Sequence, residues 1–151
     1  HDEVLKPAGM LNSGFFATND LPANIANGYQ KDSLKTNIFN LPIRGAGDGG
    51  MYTTAIDMRS FWTRYMSFEI LNNELTNKFL DTHHPFNESV GYGCGIYKYL
   101  DNSCYFVVGS DAGVGFTSHH YPSSSLTISV LSNRTDGEAG IRQKIQDLLN
   151  N

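Results

Sequence analysis

The chain has 151 residues, of which 40% are hydrophobic and 17% are charged. This balance is ordinary for a globular protein with a sizeable core, and it excludes a largely disordered chain. A formal net charge of −4 without a cluster of Lys or Arg excludes an electrostatic case for binding nucleic acid or an anionic membrane. No apolar run approaches the roughly 20 residues that cross a bilayer, so we expect no transmembrane segment.

The first third of the chain is predicted to be mostly loop. Val4–Met10 has the pattern of a helix end that runs into a turn, and Leu11–Arg44 is rich in Asn, Gly, Ser and Pro with weak periodicity. Gly45–Gly50 contains four glycines in six residues, which indicates a tight or positive-φ backbone. A phosphate cradle is the alternative, but no Lys follows as a P-loop requires, so we favour a structural turn.

Two helices are predicted next. Thr54 has the position of an N-cap, with Asp57 three residues later as a variant of the capping box. Apolar and aromatic side chains then recur at helical spacing, which predicts a core-facing stripe. The stripe consists of Met58, Phe61, Trp62, Tyr65 and Met66. A second helix is predicted at about Asn73–Thr82.

The remaining residues have the alternating pattern of strands. The predicted strands are Val90–Leu100, Ser103–Gly109, Phe116–Tyr121 and Leu126–Ser132. Glycines at 91, 93 and 95 alternate along the first strand, which indicates that another backbone or a ligand approaches one of its faces. Glu138–Leu149 is amphipathic and is expected to cover one face of the sheet. The predicted fold class is α+β, an antiparallel sheet of about three to four strands with helices packed on it, in a single segment 1–151.

The two cysteines are predicted to be free thiols. With a turn at Asp101-Asn102, Cys94 would face Gly109 and Cys104 would face Tyr99 on the neighbouring strand. The two sulfur atoms would then lie too far apart for the narrow geometry of a disulfide.

Other candidate chemical groups are scarce. His83-His84 and His119-His120 are adjacent pairs whose side chains diverge, and no Cys or acidic residue stands at ligand spacing, so we predict no metal site and no cofactor. No Ser is followed by Lys three residues later, and none lies in G-x-S-x-G. A Cys–His nucleophile stays open, but Cys94 and Cys104 are better explained as small core residues.

Five short segments stand in a specific order along the chain: VLKPAGM (Val4–Met10), ANGY (Ala26–Tyr29), GDGGMYTTAID (Gly47–Asp57), YGCGI (Tyr92–Ile96) and ISVLSN (Ile128–Asn133). They resemble V-L-x-P-L-G-M, A-x-G-Y, G-x-G-G-L-x-S/T-T-x-x-D, Y-G-L-G-W and the last sheet strand, ending in Asn, of serine β-lactamases of the class C type and related penicillin-binding-protein-like hydrolases. The resemblance covers essentially the whole chain and less than half of a complete family member. It implies part of a β-lactamase/transpeptidase-like fold and a serine hydrolase that cleaves amides or esters.

The resemblance also implies where the catalytic groups lie. The nucleophilic Ser with its Lys, and the Tyr or Ser base element, precede V-L-x-P-L-G-M, so no catalytic residue is expected in this chain. The third element, K-T-G or H-x-G, carries a basic residue for a substrate carboxylate, and the N–H after its Gly forms half of the oxyanion hole. Aligning Gly109 with the motif Gly puts Val107 in place of the basic residue and makes the Ser110 backbone the donor.

Two further interpretations of this stretch stay open. An alternative register puts Ser110 at the position of the basic residue, so both registers lack it, and Asp111 would repel a substrate carboxylate. Gly109–Gly113 could instead be only a strand-end bulge and turn.

Three functions follow as hypotheses. The leading one is the C-terminal part of a serine hydrolase that is inactive as an isolated chain and needs the N-terminal half of its parent domain as partner. The second is a non-catalytic relative that binds a cell-wall peptide, because the basic residue is missing, and the third is an independent small binding module. In the family the last strand pairs with an N-terminal strand, so Leu126–Ser132 is expected to be an unpaired edge that forms a homodimer. Family members are often extracytoplasmic or at the cell surface, but no compartment is predicted.

Overall fold

The computed structural model describes residues 1–149. They form two compact units, one of residues 1–11, 56–108 and 118–129, the other of residues 12–55, 109–117 and 130 onward. The helices are α1 (Ala55–Met66), α2 (Asn73–Leu80) and α3 (Ala139–Leu149). The strands are β1 (His84–Pro85), β2 (Val90–Tyr92), β3 (Tyr97–Tyr99), β4 (Tyr105–Asp111), β5 (Val114–Tyr121) and β6 (Leu126–Ser132). They form one antiparallel sheet in the order of the chain.

The α+β class is therefore confirmed, with six strands rather than three to four. The added strands have a local cause. Val90–Leu100 is not one strand, because the chain reverses between β2 and β3, where the Gly93 N–H donates to the Ile96 carbonyl at 2.8 Å and Gly95 has a φ of +84°. β1 is a two-residue pairing that contains a proline, and it has no periodic signal.

The reversal corrects the predicted surroundings of the cysteines. Cys94 lies exposed in the turn between β2 and β3, so it does not face Gly109 on a neighbouring strand. Cys104 does lie opposite Tyr99, whose N–H donates to the Cys104 carbonyl at 2.9 Å. Both thiols are free, as predicted.

The core of the first unit is built on α1. The helix begins directly after Thr54, and the predicted stripe supplies its buried apolar residues Met58, Trp62 and Tyr65. Trp62 and Tyr65 form a cluster with Leu80 and Ile96. Partly buried side chains pack around this cluster: Phe61, Met66, Ile70, Leu71, Tyr105 and Val107. The second helix is shorter than predicted, since it ends at Leu80, with Asn72 as its N-cap and Asp81 as its C-cap.

A buried polar chain lies against this core. The indole N–H of Trp62 donates to the Ser118 hydroxyl at 2.8 Å, and the hydroxyls of Ser118 and Ser129 lie 2.7 Å apart. The His120 ring stacks on Trp62 with ring centroids 5.6 Å apart, and its Nδ1 lies 3.0 Å from the Thr127 hydroxyl. These hydrogen bonds offset the cost of burying the Trp62 indole N–H, the Ser118 hydroxyl and the His120 Nδ1.

The burial of His120 predicts a pH-dependent stability. Removal from water lowers the pKa of the His120 imidazole below that of the unfolded chain. The folded state therefore favours the neutral ring. The contribution of this preference to the free energy of unfolding is fully present above about pH 6.5 and is lost as the pH falls below that value, because the unfolded chain takes up the proton first. We expect the free energy of unfolding, measured in urea, to decrease between about pH 7.5 and 5.5. His120→Phe should flatten this decrease, whereas substitution of the exposed His84 should leave it, and an unchanged slope in His120→Phe would contradict the assignment.

The loop that opens the second unit is ordered by isolated pairings. Leu11–Arg44 is mostly loop, as predicted, and Gly14 and Tyr52 exchange two backbone hydrogen bonds of 3.0 and 2.9 Å. The glycine-rich segment is a tight turn, since Gly50 has a φ of +82° and a Cβ on Gly45 would lie 2.5 Å from the Gly50 carbonyl oxygen. Only glycine accepts both conditions without strain.

The last helix departs from its predicted role. α3 has the expected bounds and apolar side, but none of its side chains is buried. Ile141, Leu148 and Leu149 are 54%, 64% and 55% exposed. The apolar side of this helix is therefore covered only in part, with Ile145 half-buried, because amphipathic spacing predicts a helix but not how completely its apolar side is covered.

Candidate functional site

The end of β4 extends beyond its neighbour β3. Tyr97, the first residue of β3, pairs with Phe106, and β4 continues from there to Asp111. In an extended strand, alternate residues direct their N–H and C=O groups to the same side. The Cys104 carbonyl accepts from Tyr99 of β3, so two-residue alternation directs the Ser110 N–H to this side as well, where β3 has already ended.

The predicted site residues separate into two groups along this strand. Val107 is partly buried and packs against the Trp62 cluster. Gly109, Ser110 and Asp111 are exposed, and all three lie within β4, in the second unit. A Cβ on Gly109 would meet only Phe116, at 3.8 Å, so the absence of a side chain leaves open space beside the strand.

A two-residue turn follows the site. Gly113 has a φ of +79°, and β5 begins at the next residue. The Ala112 N–H donates to the Asp111 carboxylate at 2.6 Å, and the Gly113 N–H donates to the Thr135 hydroxyl at 2.7 Å. The same Thr135 hydroxyl lies 3.5 Å from the Asp111 carbonyl oxygen. Gly109–Asp111 is therefore the end of β4, and Ala112 and Gly113 form the tight turn that follows it.

Asn37 holds this turn from the long loop. Its side-chain Nδ2 donates to the Ala112 carbonyl at 3.0 Å, and its backbone N–H donates to the Gly28 carbonyl at 3.0 Å. A Cβ on Gly28 would lie 2.7 Å from the Gly113 carbonyl oxygen. The glycine of the ANGY segment is therefore required by close approach to the β4–β5 turn.

Sequence reasoning missed Asn37 and Thr135. Each is a single polar residue in an irregular segment, where no periodicity marks it. The one available signal was the glycine of ANGY, because a glycine in a segment that the chain shares with the family indicates that another backbone comes close to it.

A surface depression of about 600 Å³ lies elsewhere in the second unit. Its lining residues are Tyr29, Asp32, Ser33, Leu34, Asn133 and Arg134. The guanidinium of Arg134 contacts the Asp32 carboxylate at 3.1 Å, and the Asn133 side chain donates to the Asn27 carbonyl at 3.0 Å. Because its cation is already paired, this depression offers no uncompensated charge to a ligand.

Three histidines of the two pairs contact aromatic rings or a backbone carbonyl. The His119 ring stacks on Phe106 with centroids 4.8 Å apart, and the His120 ring stacks on Trp62. His83 Nε2 lies 2.7 Å from the Lys78 carbonyl oxygen. Among residues 1–149, no group of three or more His, Cys, Asp or Glu side chains is arranged to hold a metal ion. In the same range, no helix is long and apolar enough to cross a membrane.

Comparison with known proteins gives a consistent family. The sequence profile of the Beta-lactamase family matches residues 1–150. A penicillin-binding protein from Bacillus halodurans is similar in structure with a TM-score of 0.90 and 39% identity, over 97% of this chain and 47% of that one. The chain thus spans about half the length of that protein. No curated protein sequence matches at a significant level.

Two more distant structures share the fold. An octameric penicillin-binding protein homologue from Pyrococcus abyssi has a TM-score of 0.70 and 22% identity, over 90% of this chain and 33% of that one. D-amino acid amidase from Ochrobactrum anthropi has a TM-score of 0.70 and 18% identity, over 99% of this chain and 52% of that one.

Proposed function

Because this chain belongs to the Beta-lactamase family, we propose that it forms the C-terminal portion of a serine hydrolase that cleaves amide or ester bonds. The observation that carries the proposal is the end of β4, where the Ser110 N–H points to a side that β3 leaves open. A fixed backbone donor at a strand edge is what an acyl-transfer site needs beside its nucleophile.

In the proposed chemistry, the two halves of one domain supply different catalytic groups. A Ser from the preceding half, activated by a Lys and a Tyr or Ser base element, attacks the substrate carbonyl. The carbonyl oxygen gains negative charge in the transition state, and the Ser110 N–H donates to it. Gly109 leaves room for the substrate beside the strand, because it adds no side chain.

The charges at the site favour a substrate without a carboxylate next to the scissile bond. When Gly109 is aligned with the motif Gly, Val107, which packs on the core, stands where the family has its basic residue, and the exposed Asp111 adds a negative charge. We therefore propose neutral esters or amides as substrates, rather than β-lactams or peptides ending in D-Ala-D-Ala.

Assays of the isolated chain test whether the catalytic groups come from two halves of the domain. Since none of its serines is followed by Lys three residues later, the 151-residue chain should neither hydrolyse nitrocefin nor form an acyl adduct with labelled penicillin. The full-length protein should react with a neutral activated ester and show an acyl-enzyme in its mass spectrum. Stoichiometric labelling of the 151-residue chain would refute the proposal.

The second candidate is a non-catalytic relative that binds a cell-wall peptide. It is favoured because neither Val107 nor Ser110, the two residues that the resemblance can align with the family's basic residue, is Lys or His. The preceding reading frame separates the two candidates, because an intact S-x-x-K supports the enzyme and its loss supports the binder.

We also propose self-association through β6. This strand is last in the sheet order among the described residues, so its outer backbone groups are available to another strand. An octameric family relative is consistent with self-association. We expect the 151-residue chain to run as a dimer or larger species in light scattering. A monomer at all concentrations would contradict the proposal.

A further inference from the structure

Asn37 is an unusual residue in its segment. Its side chain is buried, with 5% exposed, whereas the apolar side chains of Ile38 and Phe39 are 54% and 97% exposed. Burial of a polar side chain beside exposed apolar ones runs against the hydrophobic effect, so the contacts of Asn37 must compensate for it. The side chain donates to the Ala112 carbonyl, and the Asn37 backbone makes two further bonds, donating to the Gly28 carbonyl and accepting from the Asn40 N–H at 2.8 Å.

The shape of the surrounding backbone matches this side chain. A Cβ on Gly113 would lie 2.6 Å from the Asn37 Cβ, and a Cβ on Gly28 would lie 2.7 Å from its Cγ. Because neither glycine has a side chain, the space beside both of them is free for the Asn37 side chain. Three chain segments meet at one amide group, and none of them can shift without breaking a hydrogen bond or creating a clash.

The turn that Asn37 holds is the end of the proposed donor strand. β4 has lost its β3 neighbour after Phe106, so its end depends on β5 and on the contacts of the turn. Asn37 and Thr135 supply those contacts from two different segments. Ser110 lies in β4, two residues before Ala112 of the turn, so a displacement of the turn moves its N–H.

From this geometry we infer that Asn37 is a positioning residue, which sets the location of the Ser110 N–H relative to the reacting carbonyl by holding the β4–β5 turn. The inference rests on the proposed function, because it assigns Asn37 to the oxyanion donor of that site. Asn37 does not touch the substrate in this role.

Kinetics of the full-length protein give the first test. Asn37→Asp keeps the size of the side chain but replaces the donor to Ala112 by a charged acceptor. We expect kcat on an activated ester to fall about 10- to 100-fold, with KM changed by less than about twofold, because the donor acts on the transition state. The ratio of oxo-ester to thiono-ester rates should also change, since the two acceptors place their hydrogen bonds differently. Asn40→Asp is the matched control, because Asn40 is exposed on the same loop and its side chain accepts a hydrogen bond from Gln30 rather than holding the turn.

Amide hydrogen exchange in the 151-residue chain gives a second test that needs no activity. Asn37→Ala should speed exchange of the Gly113 amide by about tenfold or more, because local opening of the turn becomes easier, while Asn40→Ala should not. If the wild-type full-length protein is inactive but Asn37→Ala speeds exchange of the Gly113 amide as expected, the proposed function fails, whereas the conclusion that Asn37 holds the β4–β5 turn remains. If Asn37→Asp lowers Tm while kcat and the ester ratio stay at wild-type values, or if exchange at Gly113 is unchanged, the positioning role is overturned.

Discussion

Replacing Ser110 by proline is expected to reduce kcat of the full-length protein by about 10²–10³-fold, the typical cost of one lost oxyanion donor. Proline removes the backbone N–H and leaves the strand otherwise extended. The alternation along β4 directs this N–H away from β5, so the substitution removes no hydrogen bond between β4 and β5. The preceding residue is Gly109, which tolerates the restricted backbone before a proline better than any other residue.

Ser110→Ala is the matched control for this substitution. It removes the exposed hydroxyl but keeps the N–H, so its kcat should stay within about threefold of the wild type if only the backbone acts. Burst kinetics with an activated ester would show whether acylation is the slowed step. An equal loss in both variants would place the function in the hydroxyl, and no loss in the proline variant would remove Ser110 from the site.

Replacing Trp62 by alanine is expected to cause the largest loss of stability in the first unit, about 3–5 kcal/mol in the free energy of unfolding. The side chain is fully buried, belongs to the core cluster and stacks on His120. Its removal leaves a large cavity and takes the indole donor from the Ser118 hydroxyl. Urea unfolding of the chain, followed by circular dichroism, measures this change.

Two substitutions in the same helix calibrate the result. Trp62→Phe keeps an aromatic ring in the core but loses the indole donor, so it should cost less than the alanine variant. Thr63→Ala changes an exposed neighbour and should stay within about 0.5 kcal/mol. A Trp62→Ala variant as stable as Thr63→Ala would show that the cluster is not a packed core.

The sequence by itself determined the features that depend on neighbouring residues. The apolar stripe of α1, the turn at Asp101-Asn102 and the hairpin of β5 and β6 follow from residue spacing and turn chemistry, and the structure confirms them. The five ordered segments determined the family, since a family is recorded in the residues themselves. The unpredicted reversal between β2 and β3 shows the limit, because alternating glycines fit a strand and a turn equally well.

Only the tertiary structure decided how the proposed site is built. Asn37, Gly28 and Thr135 meet at the turn after β4. No local pattern predicts these contacts, because they join segments that are far apart in the sequence. The same holds for Val107, whose packing on the Trp62 cluster separates it from the exposed Gly109, Ser110 and Asp111. Local patterns encode backbone preference and burial, whereas whether one N–H at a strand end is left open depends on where its neighbouring strand stops.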